Sequence, residues 1–160
     1  MTTRATVGLA NAELAATKDE LDGGFIYLYA GPEPTSAAAA LDMVTLHTEV
    51  AKISLGGDGV TGLVFDAPSA GVLAKPSAAN WSGLIAFSGA EQAESSLVPT
   101  FYRFCPAGDN GRTALTTPRL QGSVGGPNSN ADCRLSTDSV TDNGVNTQSL
   151  AGYTYSTGDA

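Results

Sequence analysis

The sequence predicts an all-β fold: an antiparallel β-sandwich, immunoglobulin-like or jelly-roll-like, with a short N-terminal helix or arm. Composition is the first reason. Only 15% of the 160 residues are charged, whereas ordinary globular chains carry about 25%, and Ala, Gly, Thr, Ser and Pro together exceed half of the chain. The second reason is a succession of short β-branched and aromatic runs, separated by Gly, Pro, Asn and Ser clusters in the manner of sandwich strands.

The N-terminal segment has the one convincing helical pattern. Its apolar residues recur at the spacing of one helix face. Thr3 or Thr6 is suited to cap its start, and Asp22-Gly23-Gly24 ends it. The sequence leaves two roles open, packing against the sheet and docking on a neighbouring subunit. The residues that form this face are Val7, Ala10, Leu14 and Leu21.

We therefore divide the chain into a helix or docking arm, residues 1–22, and a single β-sandwich domain, residues 23–160. The first predicted strand is Phe25 to Ala30, which is apolar on both faces and so is expected at the centre of a sheet. Further strands are expected at 49–55, 63–65, 72–74, 81–87, 100–105, 119–124, 132–135 and 147–155.

Large aromatic residues on these strands are expected to fill the core of the sandwich, because such side chains usually do so. A turn at Gly108-Asp109-Asn110-Gly111 is expected to bring the strand of Phe101 back towards that of Leu120. The aromatic residues assigned to the core are Phe25, Tyr27, Tyr29, Trp81, Phe87, Phe101 and Phe104.

Charge and hydropathy exclude several partners. The formal net charge is -8 and the few basic residues are scattered, so the sequence lacks the basic cluster that nucleic-acid binding requires. Apolar runs fall far short of the roughly 18 residues of a membrane span. The first residues lack the order of a signal peptide, and we expect synthesis and assembly in the cytoplasm.

Residues with catalytic chemistry are few. His47 has no second His or Cys near it in sequence, and we expect a surface or strand histidine. Glu91 and Glu94 lie in a polar loop that offers no apolar pocket to raise a carboxyl pKa. Cys105 and Cys133 fit no metal or redox spacing and are expected to be buried thiols. The sequence thus predicts no enzyme, no catalytic residue, no cofactor and no metal site.

Five segments resemble small structural proteins of tailed bacteriophages, which are encoded among head and tail genes and typically have a short helix followed by an all-β domain. The resemblance runs from about Val7 to Tyr155. The inserted segment 113–118 and the tail after Tyr155 depart from the pattern. The segments that carry the resemblance are Leu21 to Pro32, Gly71 to Leu73, Thr100 to Phe104, Leu120 to Gly126 and Ala131 to Leu135.

The resemblance implies a virion structural protein, most simply a capsid decoration or cement protein that binds the assembled head. Its partners would be the major capsid protein or other virion subunits, and it would act as a homo-oligomer in the particle. A tail or neck position is an alternative. Another is a receptor- or glycan-binding module at the tail tip, with Trp81 or Phe101-Tyr102 as a stacking platform.

Six residues are candidates for contact with a partner. Three belong to the N-terminal helix or arm. The other three are arginines that alternate with apolar strand neighbours, and they are expected either to form ion pairs with an acidic partner or to face solvent. The candidates are Val7, Ala10, Leu14, Arg103, Arg119 and Arg134.

Overall fold

The computed structural model describes residues 5–137, 140–141 and 147–157 of the chain. These residues form one helix and ten strands. In chain order the elements are α1 Val7–Leu21, β1 Phe25–Ala30, β2 Thr48–Leu55, β3 Val72–Ala74, β4 Trp81–Gly89, β5 Ser96–Leu97, β6 Phe101–Cys105, β7 Leu120–Gly125, β8 Cys133–Leu135, β9 Val140–Thr141 and β10 Thr147–Ser156.

Seven strands close into a β-barrel. Their order is β10-β4-β2-β1-β6-β7-β8, and β8 pairs again with β10. The ladders within this ring are antiparallel except for that between β7 and β8, which is parallel. Outside the ring, β3 pairs with β10, and β5 pairs with β9. The fold is β-rich with one short helix, as predicted, but the sheet is a closed mixed barrel.

The predicted antiparallel sandwich is therefore not the observed architecture, and β10 accounts for the difference. Its first residues, Thr147 to Ser149, pair with β4, and its middle residues, Leu150 to Tyr153, pair with β8. One strand thereby joins the two edges of the sheet. Closure removes the unpaired edges that two separate sheets would leave. Local sequence marks the strand but not its partners.

Strand β1 confirms the prediction of a central strand, because it pairs with β2 and β6 and all six of its residues are buried. Its two faces contact two different clusters. Ile26 and Leu28 belong to the barrel interior, while Tyr27 and Tyr29 belong to a second cluster on the outside. The period of two along a strand explains this division.

Side chains fill the interior of the barrel. Phe65 lies 5.4 Å from Trp81 and 5.1 Å from Phe104 between ring centroids, and Tyr153 lies 5.9 Å from Trp81. Small barrels of about this strand number have interiors just wide enough for their own side chains. The interior is a packed core.

Segment 63–65 is not a strand, contrary to the prediction, although Leu63 and Phe65 are buried. Its backbone groups bond to the end of the helix instead. The Leu63 N–H donates to the Gly24 carbonyl, and the Phe65 N–H donates to Asp22 Oδ1. The segment therefore ties α1 to the barrel without joining a ladder.

Helix α1 packs against its own barrel. Thr6 caps it by accepting a hydrogen bond from the Leu9 N–H, and the helix ends at Leu21 as predicted. Leu14 and Leu21 reach the main core, and Asn11 Oδ1 accepts from the Gly71 N–H. Of the two roles predicted for the helix, packing against the sheet is confirmed.

Candidate functional site

Two long loops cover the outside of the barrel over β1 and β6. They are residues 31–47, between β1 and β2, and residues 106–119, between β6 and β7. We call them the outer layer. An apolar cluster lies between the outer layer and the strands, and it includes four of the aromatic residues predicted to lie in the core. Its members are Phe25, Tyr27, Tyr29, Leu41, Phe101 and Cys105.

Arg103 of β6 fixes the outer layer to the strands. It is fully buried, and its Nη1 donates to the carbonyls of Ala39 at 2.8 Å and Gly111 at 2.5 Å. Its Nη2 donates to the Ser36 carbonyl, and its Nε donates to Gln121 Oε1 at 2.9 Å. Burial, and next the charge of Arg119, lower the pKa of Arg103 from its usual value. One side chain therefore joins both loops and β7.

An ion pair between Arg119 and Asp109 closes the second loop. Arg119 Nη2 donates to Asp109 Oδ1 at 2.6 Å, and Nε donates to Oδ2. The Gly111 N–H also donates to Oδ1. Burial opposes the charged carboxylate, but these hydrogen bonds outweigh burial and hold the pKa of Asp109 below its usual value. The same bond to Asp109 raises the pKa of Arg119.

A second ion pair fixes the loop to β2. Arg112 donates to Glu49 Oε2 from Nη2 at 2.7 Å and from Nε at 3.1 Å. This pair is more exposed than the pair of Arg119 and Asp109, with 33% of the Arg112 side chain accessible against 1% of the Arg119 side chain. Loop 106–119 is thus attached to β2 through Glu49 and to β6 through Arg103, the two strands that lie on either side of β1.

His47 anchors the first loop. It is buried and lies just before β2, so it is neither the surface histidine nor the strand histidine that was expected. Its Nδ1 lies 3.1 Å from the Asp42 N–H nitrogen, and its Nε2 lies 2.9 Å from the Pro32 carbonyl oxygen. Nδ1 accepts and Nε2 donates in the neutral tautomer that satisfies both contacts. The ring serves to hold the chain between β1 and β2.

The two glutamates and the two cysteines that the sequence analysis considered take no part in the hydrogen bonds described above. Glu91 and Glu94 are both exposed, in agreement with the prediction of a solvated loop. Cys105 and Cys133 are free, buried thiols, as predicted, and they belong to the outer and inner clusters respectively. Burial raises the pKa of Cys105 to about 12.

The structure places the six predicted contact residues in different surroundings. Ala10 and Leu14 are buried against the barrel, and Arg103 and Arg119 bond to oxygens of their own chain. Ion pairing of these two arginines with a partner stays a prediction. Val7 is 48% exposed. Arg134 of β8 is half-buried.

The exposed charged residues in the described part of the chain are carboxylates, because its lysines and arginines are buried or half-buried. Every Lys and Arg in the described ranges 5–137 and 147–157 is buried or half-buried. Lys18 pairs with Asp22, and Lys52 Nζ lies 3.8 Å above the Phe25 ring. The exposed carboxylates of the described residues form no ion pair with these cations. Those in the described ranges are Glu13, Asp19, Glu20, Glu33, Asp42, Asp58, Asp66, Glu91, Glu94 and Asp132.

A groove of about 300 Å³ lies between α1 and the start of β7. Ala16 and Leu21 line one side, and Pro118 and Leu120 line the other.

In the described part of the chain, no three His, Cys, Asp or Glu side chains are grouped so as to hold a metal ion. Within the same residues, no helix has both the length and the apolar character needed to cross a membrane.

No family model, curated protein or solved structure matches this chain. The geometry of the chain itself must therefore support any function. Sequence reasoning missed the outer layer and the roles of Arg103 and His47 in it. A signal for part of it was present, since the turn predicted at 108–111 lies between Arg103 and Arg119 and such a turn brings its two flanks together.

Proposed function

We propose that this protein is a structural protein of a tailed-bacteriophage particle, and specifically a capsid decoration or cement protein. It would bind the assembled head through protein–protein contacts, act in many copies and be localised to the virion. The resemblance of the five segments named above supports the class of protein. The acidic exterior with inward-turned cations is the structural observation on which the proposal rests.

A surface with charge of one sign is useful to a protein that decorates the outside of a capsid. Exposed carboxylates on every free copy repel other free copies and keep the protein soluble before it binds. They also repel the phosphates of packaged DNA, because nucleic-acid binding depends on clustered Lys and Arg. An acidic subunit therefore stays available for the outside of a shell.

Rigid loops suit repeated binding to identical sites. The outer layer is held by Arg103, by the pair of Arg119 and Asp109, and by His47. Loops that are already ordered lose little conformational entropy on binding. Each copy that binds the assembled shell, and not its separate subunits, stabilises the shell by mass action.

Deletion of the gene from the phage genome tests the proposal. Particles without the protein should assemble but release DNA at lower temperature than complete particles, and added purified protein should restore the release temperature. Unchanged heat release in the deleted particles would contradict a cement function. Heads that form but carry no tails would favour the tail or neck alternative.

The glycan-binding alternative loses the platform that was predicted for it. Trp81 and Phe101 are fully buried, and Tyr102 is 1% exposed. A sugar stacks on an exposed aromatic face, so none of these rings is placed to receive one.

A further inference from the structure

Arg134 differs from the other basic residues in the described part of the chain. Each of the others donates a hydrogen bond to an oxygen of the same protein. The Arg134 side chain makes no hydrogen bond or ion pair to the described residues, although its Nε is shut off from solvent. The engaged residues are Lys18, Lys52, Lys75, Arg103, Arg112 and Arg119.

Glycines flank Arg134 on both neighbouring strands. Its register partners are Gly125 of β7 and Gly152 of β10. The guanidinium lies over Gly152, where a Cβ would overlap Nη2 and come within 3.0 Å of Cζ. The bare backbone of β10 thus provides the surface on which the cation rests. Nε is covered, while the residue as a whole is only half-buried.

A partly dehydrated cation without a partner favours an incoming anion. Nε is cut off from water and has no acceptor, and an unsatisfied charged group costs free energy that a nearby negative charge offsets. A planar guanidinium matches the two oxygens of a carboxylate in a paired contact, and its positive charge attracts the anion.

The nearest acidic residue in the sequence does not supply this anion. Asp132 forms no ion pair with Arg134, and its Oδ2 instead lies beside Gly122, 3.3 Å from where a Cβ on that glycine would stand. The exposed carboxylates around the molecule also disfavour a phosphate, because a doubly charged anion is repelled more strongly than a single carboxylate.

We infer that the half-buried guanidinium of Arg134 is a binding site for a carboxylate of an adjacent protein subunit. The identity of that subunit as part of a phage particle rests on the proposed function. The carboxylate site itself does not. The subunit is either a second copy of this chain or another shell protein, and both would present the same chemistry.

Nuclear magnetic resonance of the isolated protein tests the site. Sodium acetate is titrated against sodium chloride at equal ionic strength, and the signals followed are Arg134 Nε–Hε and the Gly152 amide. Acetate should move both signals in a saturable way. The Gly152 amide should not move in Arg134→Gln, whereas both signals should still respond in Lys75→Gln, which removes another half-buried cation. Absence of a saturable response, or the same response in Arg134→Gln, would overturn the inference, as would a response to phosphate alone.

Gly152→Ala gives a second variant that keeps the charge. Its Cβ would displace the guanidinium from β10, so the acetate response of Arg134 should weaken at least about threefold while the variant remains folded. An unchanged response would show that the placement over Gly152 has no part in binding.

The source of the carboxylate is settled by two further measurements. If a second copy supplies it, the Arg134 signal should move with protein concentration alone, and Arg134→Gln should abolish self-association. If a shell protein supplies it, affinity for particles that lack the protein should fall at least about tenfold in Arg134→Gln and less than about twofold in Lys75→Gln. If Arg134→Gln reduces neither self-association nor affinity for the particles, the inference is overturned. Absence of the protein from particles, with a normal acetate response, would instead contradict only the proposed function.

Discussion

Arg119 and Asp109 form a two-contact ion pair that closes the loop between β6 and β7 onto the outside of the barrel. Both side chains are almost inaccessible to solvent, at 1% and 7%. The contrast with the pair of Arg112 and Glu49, which is more exposed, gives a matched experiment within one loop.

Asp109→Asn should destabilise the protein by about 3 kcal/mol, because it leaves the buried Arg119 guanidinium without its counter-charge. Glu49→Gln is the control and should cost about 1 kcal/mol or less, since its partner is partly solvated. Urea unfolding followed by circular dichroism measures both. Equal losses of unfolding free energy in the two variants would contradict the prediction that the ion pair of Arg119 and Asp109 stabilises the protein more than that of Arg112 and Glu49.

The same pair predicts a dependence of stability on pH. The pKa of Asp109 is lowered in the folded protein, so its contribution is complete above the unfolded value of about 4 and is lost as pH falls through the lower folded value. The difference in unfolding free energy between wild type and Asp109→Asn should therefore be constant from about pH 7 to 5 and shrink below about pH 4. A difference that does not change with pH would be evidence against this linkage.

Arg103→Lys should loosen the outer layer although it keeps the charge. A lysine ammonium cannot reach the separate carbonyls of Ser36, Ala39 and Gly111 in the way the planar guanidinium does. We expect a loss of about 2–4 kcal/mol and faster hydrogen exchange at the Leu41 N–H, which bonds to the Arg112 carbonyl. Arg134→Lys is the matched control, because its side chain lies on β8 and makes no hydrogen bond to the outer layer, and it should change that exchange rate much less. Unchanged exchange in Arg103→Lys would contradict the anchoring role.

The sequence predicts the local elements of the fold better than it predicts which strands pair and which polar side chains are buried. The helix end at Leu21 and the central strand β1 follow from local patterns and were predicted. The reversal of the chain between β6 and β7 was predicted too, although its hydrogen-bonded turn lies at 106–109 and not at 108–111. Closure by β10 was not predicted, because it depends on which strands pair and not on the residues of β10 alone. The burial of Arg103 was also missed, since an arginine between apolar neighbours reads as surface unless the loop carbonyls that surround it are known.

Tyr102 and Tyr153 form a hydroxyl pair inside the barrel, with their oxygens 3.0 Å apart. Burial raises the pKa of both hydroxyls well above the usual value. Tyr102→Phe should cost about 2 kcal/mol because it leaves the Tyr153 hydroxyl buried and unpaired, whereas the double variant with Tyr153→Phe should cost no more than the single one. Tyr155→Phe is the control. Additive losses in the double variant would show that the two hydroxyls do not depend on each other.

Both cysteines should resist modification in the folded protein. Cys105 and Cys133 are buried, and burial raises the pKa of each thiol, so little reactive thiolate is present near pH 8. A thiol reagent such as Ellman's reagent should react with both only at the rate of unfolding, and at once in denaturant. Rapid reaction of one thiol in the native protein would contradict its burial.

The proposal that this acidic barrel decorates a phage head is tested most directly by quantitative mass spectrometry of purified particles, with the major capsid protein as internal reference. A decoration protein occupies repeated positions of an icosahedral shell and should be present at on the order of hundreds of copies. A count of about a dozen or fewer would contradict decoration and favour a neck, tail or fibre position, and absence from the particles would contradict every virion role.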